Sequence, residues 1–191
     1  MLAAVLFGLD GTLVDRVCSI RQYALRFAED FRPHLVSPQL EDLAEVLLAA
    51  DGWGYCPDTR FHDIVANLAW TARPAPDAIA AHWNRHFPSL AVAMDGAVEV
   101  LATLQRLGLA LGLITNGGVR AQVQKLDILG LRAYFQTVVI SEAVGVKKPG
   151  AAIFQDVLNS VGLRVDQVWF VGDHPANDIL GAWRAGLGAA P

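Results

Sequence analysis

The chain has 191 residues, 53% hydrophobic and 18% charged, and 15 Lys plus Arg against 19 Asp plus Glu give a formal net charge of −4. That length suits one domain, or a core with one insertion, and the apolar content supports a buried core without disulfide or metal staples. The composition excludes a disordered chain, the mild negative charge with no Lys/Arg run argues against a nucleic-acid footprint, and residues 1–9 are far short of the roughly 20 residues of a membrane span. Those first residues have no basic flank and run straight into Asp10, unlike a signal peptide. Cys18 and Cys56 make no disulfide framework. Reduced thiols, packed as small buried residues, and a cytoplasmic location are expected.

Residues 1–9 (MLAAVLFGL) form a continuous apolar run that ends at Asp10-Gly11-Thr12, which predicts a strand buried on both faces of a parallel sheet. Helical spacing takes over from Asp15 to Met94. Ile20, Tyr23, Ala24 and Phe27 share one stripe. Ser37 at an N-cap and Pro38 at N1 predict the start of a second helix, lined by Leu40, Leu43, Leu47 and Leu48 and broken at 51–54. Two more helices are predicted near 58–70 and 77–87. Beyond Met94 the pattern alternates. Helices are predicted at 97–107, 119–129, 151–161 and 175–185, the second and third stopping at Gly130 and Gly162. Strands are predicted at 109–115, 136–140 and 167–172. Such alternation implies βαβ units. The chain therefore reads as a doubly wound α/β core (1–14 and 95–191) with an all-helical insertion (15–94).

In an open α/β sheet, ligands bind beyond the carboxyl ends of the strands. Here those ends carry Asp10-Gly11-Thr12, Thr115-Asn116-Gly117-Gly118 and Asp173, with Asn177 and Asp178 close behind and Lys147-Lys148-Pro149 between them. Clustered carboxylates without His or Cys suit a hard cation such as Mg²⁺. The hydroxyl and free backbone N–H groups after Thr115 suit phosphate oxygens, helped by the positive end of the following helix. A lysine beside them stabilises spread negative charge.

The order Asp-Gly-Thr-Leu-Val, Thr-Asn-Gly, Lys-Pro, Gly-Asp-x-x-x-Asn-Asp resembles the haloacid dehalogenase-like (HAD) superfamily, with a Rossmann-like core and a helical cap inserted after the first motif. Residues 114–154 look like the phosphatase branch acting on sugar phosphates and nucleotides. The resemblance implies a small phosphorylated metabolite as partner and Mg²⁺ as cofactor. It implies Asp10 as general acid/base, with its backbone carbonyl on the metal. Thr115, the N–H of Asn116 and the Gly117 turn would hold the phosphoryl group with Lys148, while Lys147 is a surface charge. Asp173 would ligate Mg²⁺, and Asp178 would orient a metal-bound water or Lys148.

One position departs from the family pattern Asp-x-Asp-Gly-Thr. Gly8 stands where the resemblance implies the aspartate nucleophile, which is also a metal ligand. Glycine can serve neither role, and losing a nucleophile costs on the order of a million-fold in turnover. Asp10 lies on the same face of an extended strand but is placed as acid/base. The chain as written is expected to be inactive or nearly so. The alternatives are a natural pseudo-phosphatase that keeps the phosphate cradle, and a metal-independent haloacid dehalogenase, against which Asp173 and Asp178 count.

Among other candidates, His82 and His86 stand at i, i+4, a zinc-ligand spacing, but no carboxylate or further histidine completes a set, so a metal role is not expected. His174 is expected to shape its loop. Trp53, Tyr55, Trp70 and Trp83 are expected mostly in the core of the helical insertion, with one or two facing substrate. Chains of this resemblance usually add a short core strand after the last helix. The sequence stops at residues 186–191, where that strand should begin, so a truncated product with a bare sheet edge is expected.

Overall fold

The computed structural model describes residues 1–36, 39–55 and 59–191. In chain order the elements are β1 (Ala4–Phe7), β2 (Val14–Asp15), α1 (Arg16–Asp30), α2 (Leu40–Asp51), α3 (Arg60–Asn67), α4 (Pro76–His86), β3 (Val92–Ala93), α5 (Ala97–Arg106) and β4 (Ala110–Thr115). They continue with α6 (Val119–Ile128), β5 (Thr137–Ile140), α7 (Ser141–Val144), α8 (Ala151–Val161), β6 (Val168–Val171), α9 (Gly181–Arg184) and β7 (Gly188–Ala190). The chain divides into two compact units, Met1–Asp15 with Ala93–Pro191, and Arg16–Val92. Among the described residues no helix is long and apolar enough to cross a membrane.

The first unit is a five-stranded sheet in the order β5-β4-β1-β6-β7. Every neighbouring pair is parallel. All four residues of β1 are buried because the strand is central, with β4 and β6 as neighbours and Leu6 facing Gly112 and Phe170 in register. Its apolar run needs no polar alternation for that reason. Leu6, Ile114, Phe154, Val157 and Phe170 form the core against the flanking helices. The strand order reverses at β1, since β4 and β5 lie on one side and β6 and β7 on the other. The crevice at that switch point lies beyond the ends of β4, β1 and β6. This is the doubly wound α/β architecture read from the sequence.

The second unit is helical, with the two-residue β3 entering only at its end. Tyr23 and Phe27 of α1, Leu43 and Leu47 of α2, Ile64 of α3, and Ile79 and Trp83 of α4 pack into one buried cluster. Trp83 meets Tyr23 edge-on at 4.7 Å and stacks on Phe87 at 4.1 Å. Such ring pairs add about 0.5–1.5 kcal/mol each beyond their area.

Several sequence expectations change. Ser37, Pro38 and Cys56 lie outside the described residues, and α2 starts at Leu40 with Gln39 as its cap residue. Leu40 is exposed rather than part of the buried stripe. Trp83 is core and Trp70 is packed against it, but Trp53 and Tyr55 are exposed. The Gly52–Gly54 turn puts Trp53 at φ 59°, which swings its ring away from the cluster. Cys18 is only partly buried. The predicted helix 175–185 opens as a wide π-helical stretch, Pro175–Leu180, before α9. The largest correction concerns the sheet edge. Gly188–Ala190 does form a strand, pairing with β6 through Trp169↔Gly188 and Val171↔Ala190. A Gly-Ala-Ala triplet carries no β-branched signal, yet a Cβ at residue 188 would lie 2.7 Å from the Trp169 indole nitrogen. The small residue is what lets the strand dock.

Candidate active site

All the motif residues read from the sequence belong to the first unit, and they meet beyond the carboxyl ends of its strands. Each motif is tied to the next by a side-chain contact. The chain turns at Asp10-Gly11 directly after β1, with Gly11 at φ 80°. A Cβ on residue 11 would collide with the Asp173 carboxylate, so the first and last motifs touch at that glycine. Thr12 Oγ1 donates to Asp173 Oδ1 at 3.3 Å. Asp173 is exposed as a residue, but its carboxyl is partly desolvated. That burial, with the charge of Asp178, raises its pKa.

Asp10 is held by residues that the sequence reading did not single out. Lys125 Nζ donates to both of its oxygens, at 2.6 and 2.8 Å. Gln122 Nε2 contacts Asp10 Oδ2 at 3.0 Å, Thr115 Oγ1 at 2.5 Å and the Asn116 carbonyl at 3.2 Å. Both residues are buried on α6. A signal was present: Gln122 and Lys125 share the inward stripe of that helix with Leu126, at i, i+3 and i+4, where polar groups need a reason.

Thr115 ends β4 and is 2% exposed. Asn116 does something the motif alone does not disclose. Its Nδ2 donates to the Lys148 carbonyl at 3.0 Å and its Oδ1 accepts the Lys148 N–H at 2.8 Å. This two-point clamp fixes the backbone of Lys148, whose buried side chain reaches Asp178 Oδ1 at 2.5 Å. Lys147 is exposed. Free backbone donors after Thr115 were expected, and that is corrected at two positions. Gly117 N–H donates to Ser141 Oγ at 3.0 Å, and Val119 N–H donates to Glu142 Oε2 at 2.7 Å. A carboxylate already satisfies the start of α6, as the dipole favours.

Asp178 is buried, and its Oδ2 accepts the His174 N–H at 3.1 Å. Gly172 makes this possible, because a Cβ there would lie 2.6 Å from that carboxylate. His174 Nδ1 accepts the Asn177 N–H at 3.0 Å, a role within the loop. Gly8, on the same stretch of chain as Asp10, donates its N–H to Val171 O. A Cβ at residue 8 would lie 2.9 Å from Thr12 Oγ1 and 3.7 Å from Asp178 Oδ2.

The donors at this edge are all oxygen: the carboxylates of Asp173 and Asp178 with backbone carbonyls at the turns, the Asp10 carboxylate being held by Lys125 and Gln122. Asp178 Oδ1 is engaged by the Lys148 ammonium. An all-oxygen donor set is the chemistry that suits a hydrated hard cation, which keeps several of its waters. Beside it, Thr115 and Lys148 supply a hydroxyl and a cation for an anionic group.

Residues 5–190 match the family model of haloacid dehalogenase-like hydrolases. The chain is similar to a glyceraldehyde 3-phosphate phosphatase of Methanopyrus kandleri, 30% identical over 202 residues that cover 98% of this chain and 82% of the relative. It is 43% identical over 95 residues to a pyrimidine 5'-nucleotidase of Escherichia coli, covering 49% and 42% of the two chains. Among solved structures, a HAD-hydrolase of Bacillus subtilis bound to magnesium shares the fold, with a TM-score of 0.78, 24% identity, and coverage of 98% of this chain and 85% of that one.

Proposed function

The chain belongs to the haloacid dehalogenase-like hydrolase family, and from that premise we propose a Mg²⁺-dependent phosphomonoester hydrolase lineage whose nucleophile position is vacated by Gly8. The observation that carries this reading is the surroundings of residue 8. A side chain there would start 3.7 Å from the buried Asp178 and beside Thr12, at the only motif position lacking its functional group. An aspartate at residue 8 would form an aspartyl-phosphate with the substrate. In that scheme Asp10 protonates the leaving alcohol and then activates water. Thr115, the Asn116 N–H and Lys148 hold the phosphoryl oxygens. Asp173 and the Asp10 carbonyl would hold Mg²⁺, with Asp178 orienting a metal-bound water or Lys148, and the ion would supply charge neutralisation for the phosphoryl group. Without the nucleophile the chain as written is inactive or nearly so.

The substrate class we assign is a small phosphorylated metabolite, such as a sugar phosphate or nucleotide, in keeping with the names of the relatives. The helical unit Arg16–Val92 is assigned as the cap that selects the leaving group. It carries a pocket of about 310 Å³ lined by Arg16, Ile20, Glu45, Leu48, Asp51 and Trp53. Trp53, exposed at that pocket, is the aromatic residue we assign to substrate contact.

The test is the Gly8→Asp revertant. It should release phosphate from an aryl phosphate in the presence of Mg²⁺ and lose that activity in chelator. A folded revertant that is silent across a broad panel of phosphate esters would sink the proposal. Gly8 itself favours a second reading, a pseudo-phosphatase that binds phosphate esters without cleaving them. Calorimetric binding of a phosphate ester by the unmodified chain supports it, and an aspartate at this position in the organism's own gene ends it.

A further inference from the structure

His82 and His86 occupy one face of α4, four residues apart. Sequence spacing offered no third ligand, but the fold brings one from 52 positions earlier, at the last residue of α1. His82 Nε2 lies 2.9 Å from Asp30 Oδ2, and the ligand atoms of Asp30, His82 and His86 all lie within 4.8 Å of one another. We propose that these three residues form a transition-metal site on the helical unit, of the zinc-binding class, with solvent in the remaining position.

Three features beyond spacing support it. The first is the support behind His82. Its Nδ1 is 2.8 Å from the hydroxyl of Tyr23, a fully buried residue, and its ring is packed edge-on by Phe27 and Phe31. A ligating histidine characteristically has its other ring nitrogen held in this way, which fixes the ring and directs the free nitrogen outward. The second is the mutual placement of the two imidazoles. His82 and His86 have ring centroids 4.5 Å apart at an interplanar angle of 41°, so both rings stand together on one face of α4. The third is donor chemistry. Two imidazoles and one carboxylate suit Zn²⁺ in tetrahedral geometry, whose ligand atoms lie roughly 3.3 Å apart. Cu²⁺ would bind such ligands more tightly than Zn²⁺, and Co²⁺ more weakly than Ni²⁺. Mg²⁺ prefers an all-oxygen set, so this chemistry is distinct from that of the carboxylate cluster at the sheet edge.

Arg26 is the competitor. Its Nε donates to Asp30 Oδ2 at 2.6 Å. The Arg26 side chain is 43% exposed, and Glu29 stands 3.9 Å from it as an alternative partner. Exposed pairs of this kind are worth roughly 0–1 kcal/mol, so a metal ion can displace the guanidinium.

The experiment is a calorimetric titration of the full chain with Zn²⁺ in excess Mg²⁺, with Co²⁺ as an optical probe of tetrahedral geometry. One ion should bind per chain. His86→Gln should weaken binding by more than the roughly 10–100-fold that follows from disturbing an outer-shell partner. Asp30→Asn should weaken it too, and Arg26→Gln should tighten it by releasing the carboxylate. Far-UV circular dichroism checks that each variant is folded. An Asp30→Asn protein that titrates like the parent reduces the site to a surface histidine pair and overturns the proposal. So does stoichiometric binding that survives His86→Gln, an Arg26→Gln protein with no gain, or no stoichiometric binding by the parent.

Discussion

Lys125 Nζ grips both carboxylate oxygens of Asp10, at 2.6 and 2.8 Å, from a side chain that is 5% exposed. The ammonium comes from α6, so the turn after β1 is oriented by the helix that follows β4. Asp10→Asn and Lys125→Met should each lower stability, and the double variant should be less destabilised than their sum. The coupling should be about 1.5–3 kcal/mol, the range for a hydrogen bond between charged groups. Urea unfolding of the four proteins measures it, and additive effects would show that the contact contributes nothing. In the Gly8→Asp background, Lys125→Met should also lower kcat by on the order of a hundredfold, because a misplaced acid/base forfeits most of its contribution.

Position 8 makes a second, independent statement about metal. A Cβ there meets Thr12 Oγ1 at 2.9 Å, which a small hydroxyl movement relieves. Gly8→Ala should therefore change stability by less than about 1 kcal/mol. Gly8→Asp adds a carboxylate beside Asp178, in a cluster where Asp173 is already raised by burial and by the Asp178 charge. In chelator this variant should melt below Gly8→Ala, because the added charge meets like charges. Mg²⁺ should then raise the Tm of Gly8→Asp more than that of Gly8→Ala. A site filled at a hundred times its Kd contributes about 2.7 kcal/mol. Equal Mg²⁺ responses in thermal melts would remove residue 8 from the metal-binding set.

The clamp of Asn116 on Lys148 gives a third prediction. Asn116→Ala removes an acceptor at 2.8 Å from the Lys148 N–H and a donor at 3.0 Å from the Lys148 carbonyl, which should cost about 1–3 kcal/mol. Asn116→Asp keeps the acceptor for the Lys148 N–H and loses only the donor. In the Gly8→Asp background, kcat/KM should fall in the order parent, Asn116→Asp, Asn116→Ala, because Lys148 loses its alignment stepwise. Equal activity of Asn116→Ala and parent would show that Lys148 needs no such support.

The strand-end motifs were legible because a parallel strand buried on both faces reads as an unbroken apolar run, and its first polar residue then marks the ligand edge. Asp10, Thr115 and Asp173 stand at strand ends and were read in that way, whereas Lys148 and Asp178 came from the motif order of the family resemblance. Gln122 and Lys125 were not, because each is an ordinary helix former whose importance appears only when the partner across the sheet edge is known. Asp30 escaped for the same reason: its histidines lie on another helix. β7 went unread because three small residues carry no strand pattern, and their placement comes from parallel pairing with β6. Local periodicity reports elements, while pairings between distant residues come from packing.

The last prediction concerns the helical unit. Asp51, at the end of α2, is fully buried among cations. Arg16 donates Nε and Nη2 to its two oxygens at 2.7 Å each, and Arg60 Nη2 lies 3.3 Å away. Arg60 Nε is buried with no hydrogen-bond partner among the described residues, so the cluster has no spare acceptor there. Replacing such a hub with well-packed apolar groups can be neutral, but removing one member strands the others. Asp51→Ala should therefore cost about 3–5 kcal/mol, a large part of the roughly 5–15 kcal/mol of a typical domain. Asp51→Asn, which keeps one acceptor oxygen, should cost less. Gly54 guards the same site from outside, at φ 83° with a hypothetical Cβ 2.8 Å from Arg16 Cζ. Gly54→Ala should destabilise through both strain and the displaced guanidinium. Urea midpoints give the ranking, and an Asp51→Ala protein as stable as the parent would mean that water replaces the carboxylate at no cost.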